Sequence, residues 1–376
     1  MIDTLEFQGV LKSHGYRLFS GVPCSLLQPL INLAGNSLNY IAATNEGEAV
    51  AIAAGAQLGG MKSAVLLQNS GLANALAPLT SLTNICELPI TGFVGFRGEP
   101  GVADEVQHEF MGRISAQLLE ISGVHVCHLA TDLQRASEQL AEGQEYLARG
   151  ISVFYLVSKD SFSPLELKAK APIRFNPGTL TRPQPEAVAP PSRYQALQVV
   201  SRHKQDDTAV LATTGMCGRE LFTIEDSPNN LYMVGSMGCV SSIGLGIAIA
   251  KPNKKVIVLD GDGALLMRMG NLATNAYCRP DNLLHVLLDN ESHDSTGGQA
   301  TASSNMDWPA IASAAGYPAV VQANGLAGFE QAIVEWMRNP KLTFLYLSVA
   351  KGSISPLGRP SITPAQVALR LKAFLQ

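Results

Sequence analysis

The sequence predicts an α/β protein made of two parallel-sheet domains in series, and three observations carry that expectation. Short apolar, strand-like runs alternate with longer helix-like segments in both halves of the chain, the pattern of repeated βα units. Between the halves lies a proline-dense stretch, seven prolines in the 34 residues 161–194 with no sustained periodicity, which reads as a linker. The composition is 46% hydrophobic and 15% charged, apolar enough for sheets covered on both faces by helices. A length of 376 residues suits two cores of ordinary size. The expected division is 1–162, a linker over 163–192, and 193–376.

The elements follow in order. Strand-like runs occupy 16–22, 38–44, 63–69, 89–96, 124–130 and 151–157, with helix-like segments at 25–34, 47–60 and 131–150. After the linker come a helix at 194–203, strands at 208–214 and 231–236, a helix at 241–250 and a strand at 255–261. One long helix is expected over 264–277, then a strand at 283–290, a helix at 307–315, a strand at 317–323, a helix at 326–339 and a strand at 343–349.

Composition also excludes functions. A net charge of -4 offers no basic surplus for nucleic acid or an anionic membrane surface. The six cysteines are scattered without a CxxC pair and read as reduced core thiols, with no zinc site. The N-terminus lacks the apolar core of a signal peptide, and nowhere do 18 apolar residues run together, so a cytoplasmic protein is expected.

The chemistry concentrates in VIVLDGDGALL, where an apolar run ends in Asp260-Gly261-Asp262-Gly263. Three readings compete: a dinucleotide loop, a metal-diphosphate loop and an ordinary strand-to-helix turn. A dinucleotide fingerprint needs GxGxxG, and Leu266 stands where the third glycine belongs. Asp262 would also face a pyrophosphate uncompensated, unless a cation stands between them. Mg²⁺ takes hard oxygen ligands and joins one or two protein oxygens to phosphate, and a second ligand belongs at the end of the neighbouring strand. Asp289-Asn290 ends such a strand, with 25 residues between Gly263 and Asp289. Asp260 is left to shape the turn.

GDG followed by 25 residues and an Asn-bearing strand end resembles the motif of the thiamine diphosphate-dependent decarboxylases. The resemblance implies that Asp262, the Asn290 side chain and the Ser292 carbonyl hold Mg²⁺, with Gly261, Gly263 and Ala264 against the diphosphate. The family usually carries Asn where this chain has Asp289. In ATNEGEAVAIAAGAQLGG, Glu46 matches the glutamate that protonates the cofactor's pyrimidine. Glu48 is read as a first-turn helix residue. QNSGLANAL, with Asn69 and Gly71, resembles the strand-loop-helix lining the pyrimidine pocket. Gly215 joins the cofactor site. In MVGSMG the Gly235 carbonyl and Ser236 are implied contacts, and Met237 the apolar wedge under the cofactor. The implied fold is a pyrimidine domain followed by a diphosphate domain, with no central third domain. Because such sites meet between subunits in the family, a homodimer or larger even homo-oligomer is expected.

The strings GVPCSLLQPLIN, FRGEPGVADEVQHEFMGR, TTGMCGRELFTIEDSPNNLYMVGSMG, LDNESHDSTGGQ and KGSISPLGRP are similar to the short two-domain members that act on phosphonopyruvate and sulfopyruvate. One continuous chain tilts the expectation toward 3-phosphonopyruvate, with phosphonoacetaldehyde and CO₂ as products in phosphonate biosynthesis. A phosphonate dianion calls for cationic donors, and Arg97, Arg219, Lys351 and Arg359 are the candidates. His108 and His293, at strand-end loops, are candidates for proton delivery; His125, His128 and His285 lie in strand patterns and read as structural. Ser25 matches a polar residue placed over the reacting carbon, and Cys24, where many relatives carry Asp, reads as loop packing. Sulfopyruvate decarboxylation and a nicotinamide-dependent oxidoreductase are the alternatives.

Overall fold

The computed structural model describes residues 1–168, 173–183 and 188–376. The chain divides into two units, Met1–Pro172 and Ile173–Gln376.

The first unit runs α1 (Thr4–Ser13), β1 (Leu18–Gly21), α2 (Gln28–Ser37), β2 (Asn39–Ala42), α3 (Glu46–Leu58), β3 (Ser63–Gln68), α4 (Leu72–Pro78), β4 (Thr91–Gly95), α5 (Glu109–Ile121), β5 (His125–His128), α6 (Leu133–Ala148) and β6 (Val153–Val157). Its strands pair in parallel in the order β2-β1-β3-β4-β6-β5. Alternation along each strand splits the core between two faces: Leu66, Phe93 and Tyr155 pack on one, Val65, Val94 and Phe154 on the other. Gly92 is glycine because a Cβ there would collide with the Phe154 ring on the next strand. Of the thirteen residues of α3 only Gln57 escapes full burial, which explains its Ala-rich, non-amphipathic sequence.

The second unit contains β7 (Thr179–Thr181), α7 (Arg193–His203), β8 (Thr208–Ala212), α8 (Met216–Ile224), β9 (Asn230–Tyr232), α9 (Val240–Ala250), β10 (Lys255–Gly261), α10 (Asp262–Met267), α11 (Asn271–Cys278), β11 (Leu283–Asp289), β12 (Ser292–His293), β13 (Gln299–Ala300), α12 (Trp308–Ala315), β14 (Ala319–Gln322), α13 (Gly325–Arg338), β15 (Thr343–Ser348) and α14 (Pro364–Leu375). A parallel sheet runs β7-β14-β15-β11-β10-β8-β9, with β12 and β13 a separate antiparallel pair.

The expected α/β class and parallel sheets are found. Several details differ. The helix expected over 264–277 is two, because Arg268 leaves helical geometry at φ -139°, ψ 44° and α11 starts afresh after Gly270. Helices α1, α5, α8 and α14 were not expected; α1 is capped by Asp3 and α14 by a Thr363–Gln366 capping box. Within the span read as linker, Thr179–Thr181 pairs with β14 as an edge strand, where neighbouring prolines cost no ladder bonds. Residues 169–172 and 184–187 of that span lie outside the described residues.

The strand order reverses direction between β1 and β3 in the first sheet and between β8 and β10 in the second, each with a further reversal nearer the other edge. Ligands of open α/β sheets bind outside the carboxyl ends of strands at such switch points. The loops there hold Cys24-Ser25 and Asn69–Gly71 in the first unit, and Thr213–Gly215 and Gly261–Ala264 in the second.

Candidate active site

In the first unit Glu46 opens α3 directly after β2 and is buried, 8% exposed. Asn74 Nδ2 donates to Glu46 Oε2 at 2.8 Å, and Gly71 lies so close that a Cβ there would collide with Oε1. The two glutamates of this helix turn are thereby separated. Glu48 Oε2 accepts from the Thr44 backbone N–H at 2.6 Å and from the Thr44 hydroxyl. Asn45 caps the same turn through Glu48 N. Glu48 is fully buried and closes its own helix end, while Glu46 is held by side groups from the β3–α4 turn.

Asn69, expected at the cofactor, turns away from that role. It is fully buried, donating to the Arg97 carbonyl at 2.7 Å and to Ser115 Oγ at 3.1 Å, and accepting from Arg97 N at 3.2 Å. It fixes the β4 exit loop. Arg97 carries the consequence: Nε and Nη2 engage Asp104 side-on, and Nη1 donates to Ser25 Oγ at 2.9 Å. The guanidinium, by hydrogen bond and charge, holds the Asp104 carboxyl well below the usual carboxylate range. Ser25, Arg97, Asp104 and Lys159 line a cavity of about 880 Å³. Cys24 packs beside Gly95, and burial pushes its thiol pKa up, as suits loop packing. His108 sits at the start of α5 and does not line this cavity.

In the second unit Asp262 is the first residue of α10, 3% exposed, with its Oδ2 accepting from the Thr301 hydroxyl. Strand register sets Gly261 opposite Leu288, so the next residues, Asp262 and Asp289, leave adjacent strands together. Burial first, and then the charge of Asp289, raises the Asp262 pKa. Asp289 itself is satisfied by Glu291 N at 3.0 Å, Ser303 Oγ at 2.7 Å and Tyr346 OH at 3.2 Å. Asn290 Oδ1 accepts from Ser292 N at 3.2 Å, and its Nδ2 donates to Asp294 at 2.7 Å. A Cβ on Gly263 would stand 2.5 Å from His293 Cε1 and 3.4 Å from Met237 Cε, so three candidates, Gly263, His293 and Met237, meet at one point.

Backbone strain marks the same region. Ser236 and Glu291 are non-glycine residues at φ 52° and 55°, and Gly215 holds φ 93°. Such conformations persist where the surroundings over-determine them. Asp260 is fully buried, accepting from Gly261 N at 2.9 Å and pairing with His285 Nε2 at 3.2 Å. It shapes the turn and is tied into the sheet as well.

The cationic candidates separate. Arg219 spends its guanidinium on the Leu357 and Gly358 carbonyls at 3.4 Å, fastening a loop to α8. Lys351 and Arg359 are exposed on that same stretch. Sequence reasoning missed Asn74, Thr301, Asp294, Arg193 and Glu220, which act through contacts 27 to 159 residues distant in the chain or through a side-chain direction.

A family model for the thiamine pyrophosphate enzyme C-terminal TPP binding domain matches residues 213–347. Along the whole chain, the phosphonopyruvate decarboxylase of Streptomyces viridochromogenes is 39% identical over 379 residues, covering 100% of this chain and 95% of that protein. The chain belongs to the phosphonopyruvate decarboxylase family. The Streptomyces hygroscopicus member is 38% identical with 100% and 94% coverage. The sulfopyruvate decarboxylase of Methanosarcina acetivorans is 27% identical, covering 97% of this chain and 96% of its own. That fused relative removes the argument from chain continuity, since a sulfopyruvate decarboxylase also spans the full length; the difference in identity remains. Benzoylformate decarboxylase from Polynucleobacter necessarius matches the fold with a TM-score of 0.72 at 12% identity, over 94% of this chain and 100% of that one. The Rhodococcus jostii 4-hydroxybenzoylformate decarboxylase gives 0.72 at 13% identity, over 93% and 99%.

Proposed function

We propose that this chain decarboxylates 3-phosphonopyruvate to phosphonoacetaldehyde and CO₂, using thiamine diphosphate and Mg²⁺, as a step in phosphonate biosynthesis. The observation that carries the reading is the buried pair of acids at the carboxyl ends of the adjacent strands β10 and β11, Asp262 beside Asp289. Two carboxylates in a low-dielectric position repel one another, and a divalent cation relieves that repulsion. The donor set fits Mg²⁺: one carboxylate from Asp262, one amide oxygen from Asn290 and the Ser292 carbonyl, all hard oxygens. Thr213 Oγ1 and Ser292 Oγ are buried there without a hydrogen-bond partner among the described residues, as polar groups awaiting a ligand are.

Bound thiamine diphosphate supplies a nucleophilic thiazolium carbon and the electron sink that lets CO₂ depart. The residues of this chain do the rest. Glu46, fixed by Asn74 and unshielded by a side chain at position 71, holds and exchanges a proton at the pyrimidine ring. Gly215, Gly235, Ser236 and the Gly261–Ala264 backbone admit the cofactor closely, and Met237 supplies an apolar prop. His293, over Gly263, is placed to move the proton that replaces CO₂; His108 is the second candidate for that transfer. Arg97, aimed by Asp104 and bonded to Ser25, receives the phosphonate, with the exposed Lys351 and Arg359 as the other candidates. A homodimer or larger even homo-oligomer is part of the reading, supported by the exposed apolar side chains Val234, Met267, Met269 and Tyr277 on the second unit. So is a cytoplasmic setting, supported by six free cysteines; no helix among the described residues is long and apolar enough to cross a membrane.

The test is CO₂ release from 3-phosphonopyruvate and from sulfopyruvate, each with and without thiamine diphosphate and Mg²⁺. Faster turnover of the phosphonate, dependent on both additions, is expected. Preference for sulfopyruvate would transfer the protein to the second reading, and turnover without thiamine diphosphate would reject both.

A further inference from the structure

Outside the residues assigned so far, the second unit holds a charged chain of three side chains, Arg193, Glu220 and Asp294, that ends on Asn290. Arg193, the first residue of α7 and 7% exposed, reaches Glu220 through Nε at 2.8 Å and Nη2 at 3.4 Å. Its Nη1 donates to Asp294 Oδ2 at 3.1 Å and its Nη2 to the Gly352 carbonyl at 3.1 Å. The same Asp294 oxygen accepts from Gly352 N at 3.1 Å and from Asn290 Nδ2 at 2.7 Å. Glu220 Oε1 also accepts from Ile354 N at 3.2 Å. Burial works against the Arg193 charge, and Glu220 and Asp294 more than offset it, raising its pKa.

The two ends of an amide are chemically opposite, and only the oxygen ligates a hard cation. Either end of the Asn290 amide fits the same space, so geometry alone does not choose between them. Asp294 chooses. With Nδ2 on the carboxylate, Oδ1 faces the other way, toward Ser292 N. The flipped amide would set its oxygen against the half-buried Asp294 carboxylate and leave its NH₂ where the cation belongs. Arg193 keeps Asp294 in place and shares its positive charge between Asp294 and Glu220, two acids that would otherwise have no counter-charge. The chain thus runs from α8 through α7 to the metal loop, and the backbone at Gly352 and Ile354 is fastened to it.

We infer that Arg193 and Asp294 are positioning residues for Mg²⁺: the Arg193–Asp294 pair locks the Asn290 amide with its oxygen toward the cation. The inference rests on the proposed Mg²⁺-thiamine diphosphate site and goes beyond it, because neither residue is among the ligands proposed there.

The experiment is calorimetric titration of the full chain with thiamine diphosphate across a Mg²⁺ series, with the thermal transition of each metal-free protein recorded alongside. Wild type must show Mg²⁺-dependent binding; its absence rejects the underlying site and the inference with it. Given that binding, Asp294→Ala should raise the half-saturating Mg²⁺ at least tenfold, and Arg193→Met should shift it in the same direction. Asn290→Asp alone, which sets two carboxylates together, should also lose Mg²⁺ dependence. Asn290→Asp with Asp294→Asn exchanges donor and acceptor at constant charge and should recover half-saturation to within threefold of wild type. A folded Asp294→Ala protein with wild-type Mg²⁺ dependence overturns the inference. Should Asp294→Ala fail to fold, the exchanged pair decides: no recovery relative to Asn290→Asp overturns it, and recovery supports it.

Discussion

Gly71 lies so close to Glu46 that any side chain at position 71 would occupy the space of the Glu46 carboxylate. The contact joins the β3–α4 turn to the first residue of α3, and Asn74 from the same turn completes the grip through a 2.8 Å hydrogen bond. Glu46 is therefore held at one place by Gly71, which sequence reading assigned to the cofactor, and by Asn74, which it did not assign.

The first prediction concerns that grip. Gly71→Ala should lower kcat roughly a hundredfold, the scale at which a catalytic group displaced by about 1 Å loses rate, while thiamine diphosphate affinity stays near wild type. Steady-state kinetics beside calorimetric binding tests the split; equal losses in both would place Gly71 at the cofactor instead.

Glu46→Gln keeps the hydrogen bond from Asn74 and removes the exchangeable proton. A loss of about 10² to 10⁴ in kcat is expected, the range of general acid-base catalysis, with an unchanged thermal transition. Rates within threefold of wild type would end the assignment.

Asp262→Asn should abolish Mg²⁺-dependent binding of thiamine diphosphate. It should also make the metal-free protein more stable near neutral pH, by roughly 1 kcal/mol for each unit of pKa elevation relieved. The sign follows from the raised pKa: a buried acid disfavoured in its charged form costs stability wherever it must ionise. A lower melting temperature in metal-free Asp262→Asn would contradict this account.

Arg97 and Asp104 give a pH prediction. The Asp104 pKa is depressed by Arg97, so its stabilising contribution is present in full above the ordinary carboxylate range. It is lost as pH falls through the depressed value. Arg97→Met should return Asp104 toward an ordinary pKa of about 3.9, measured by carboxyl-detected NMR, and should flatten the acid limb of stability. In the same variant KM for 3-phosphonopyruvate should rise about tenfold or more, the worth of a charge-assisted hydrogen bond. An unchanged KM would move the phosphonate to Lys351 or Arg359.

Much of this was legible before any coordinates. Asp262 and Asn290 stand out because a strand ending in acid, glycine and acid, followed one crossover later by a polar strand end, has few bland explanations. The parallel α/β class followed from continuous apolar runs such as those of β10 and β11, which are buried on both faces. Other features gave no such signal. Glu46 and Glu48 share a helix turn, and only side-chain direction separates the one held by Asn74 from the one turned onto Thr44. Asn69 sits in the expected loop yet faces inward to the Arg97 backbone. Arg219 looked available until its guanidinium met the loop carbonyls at 357 and 358.

The sequence by itself determined the class of fold and the paired polar strand ends at Asp262 and Asp289-Asn290, because strand periodicity and turn chemistry are local. Tertiary structure alone decided which acid is free, which arginine lines the cavity and which way the Asn290 amide points. Those outcomes depend on contacts such as Arg193 with Asp294, 101 residues apart in the chain. Hydrogen bonds and charges of that kind act through space, and linear spacing carries no record of them.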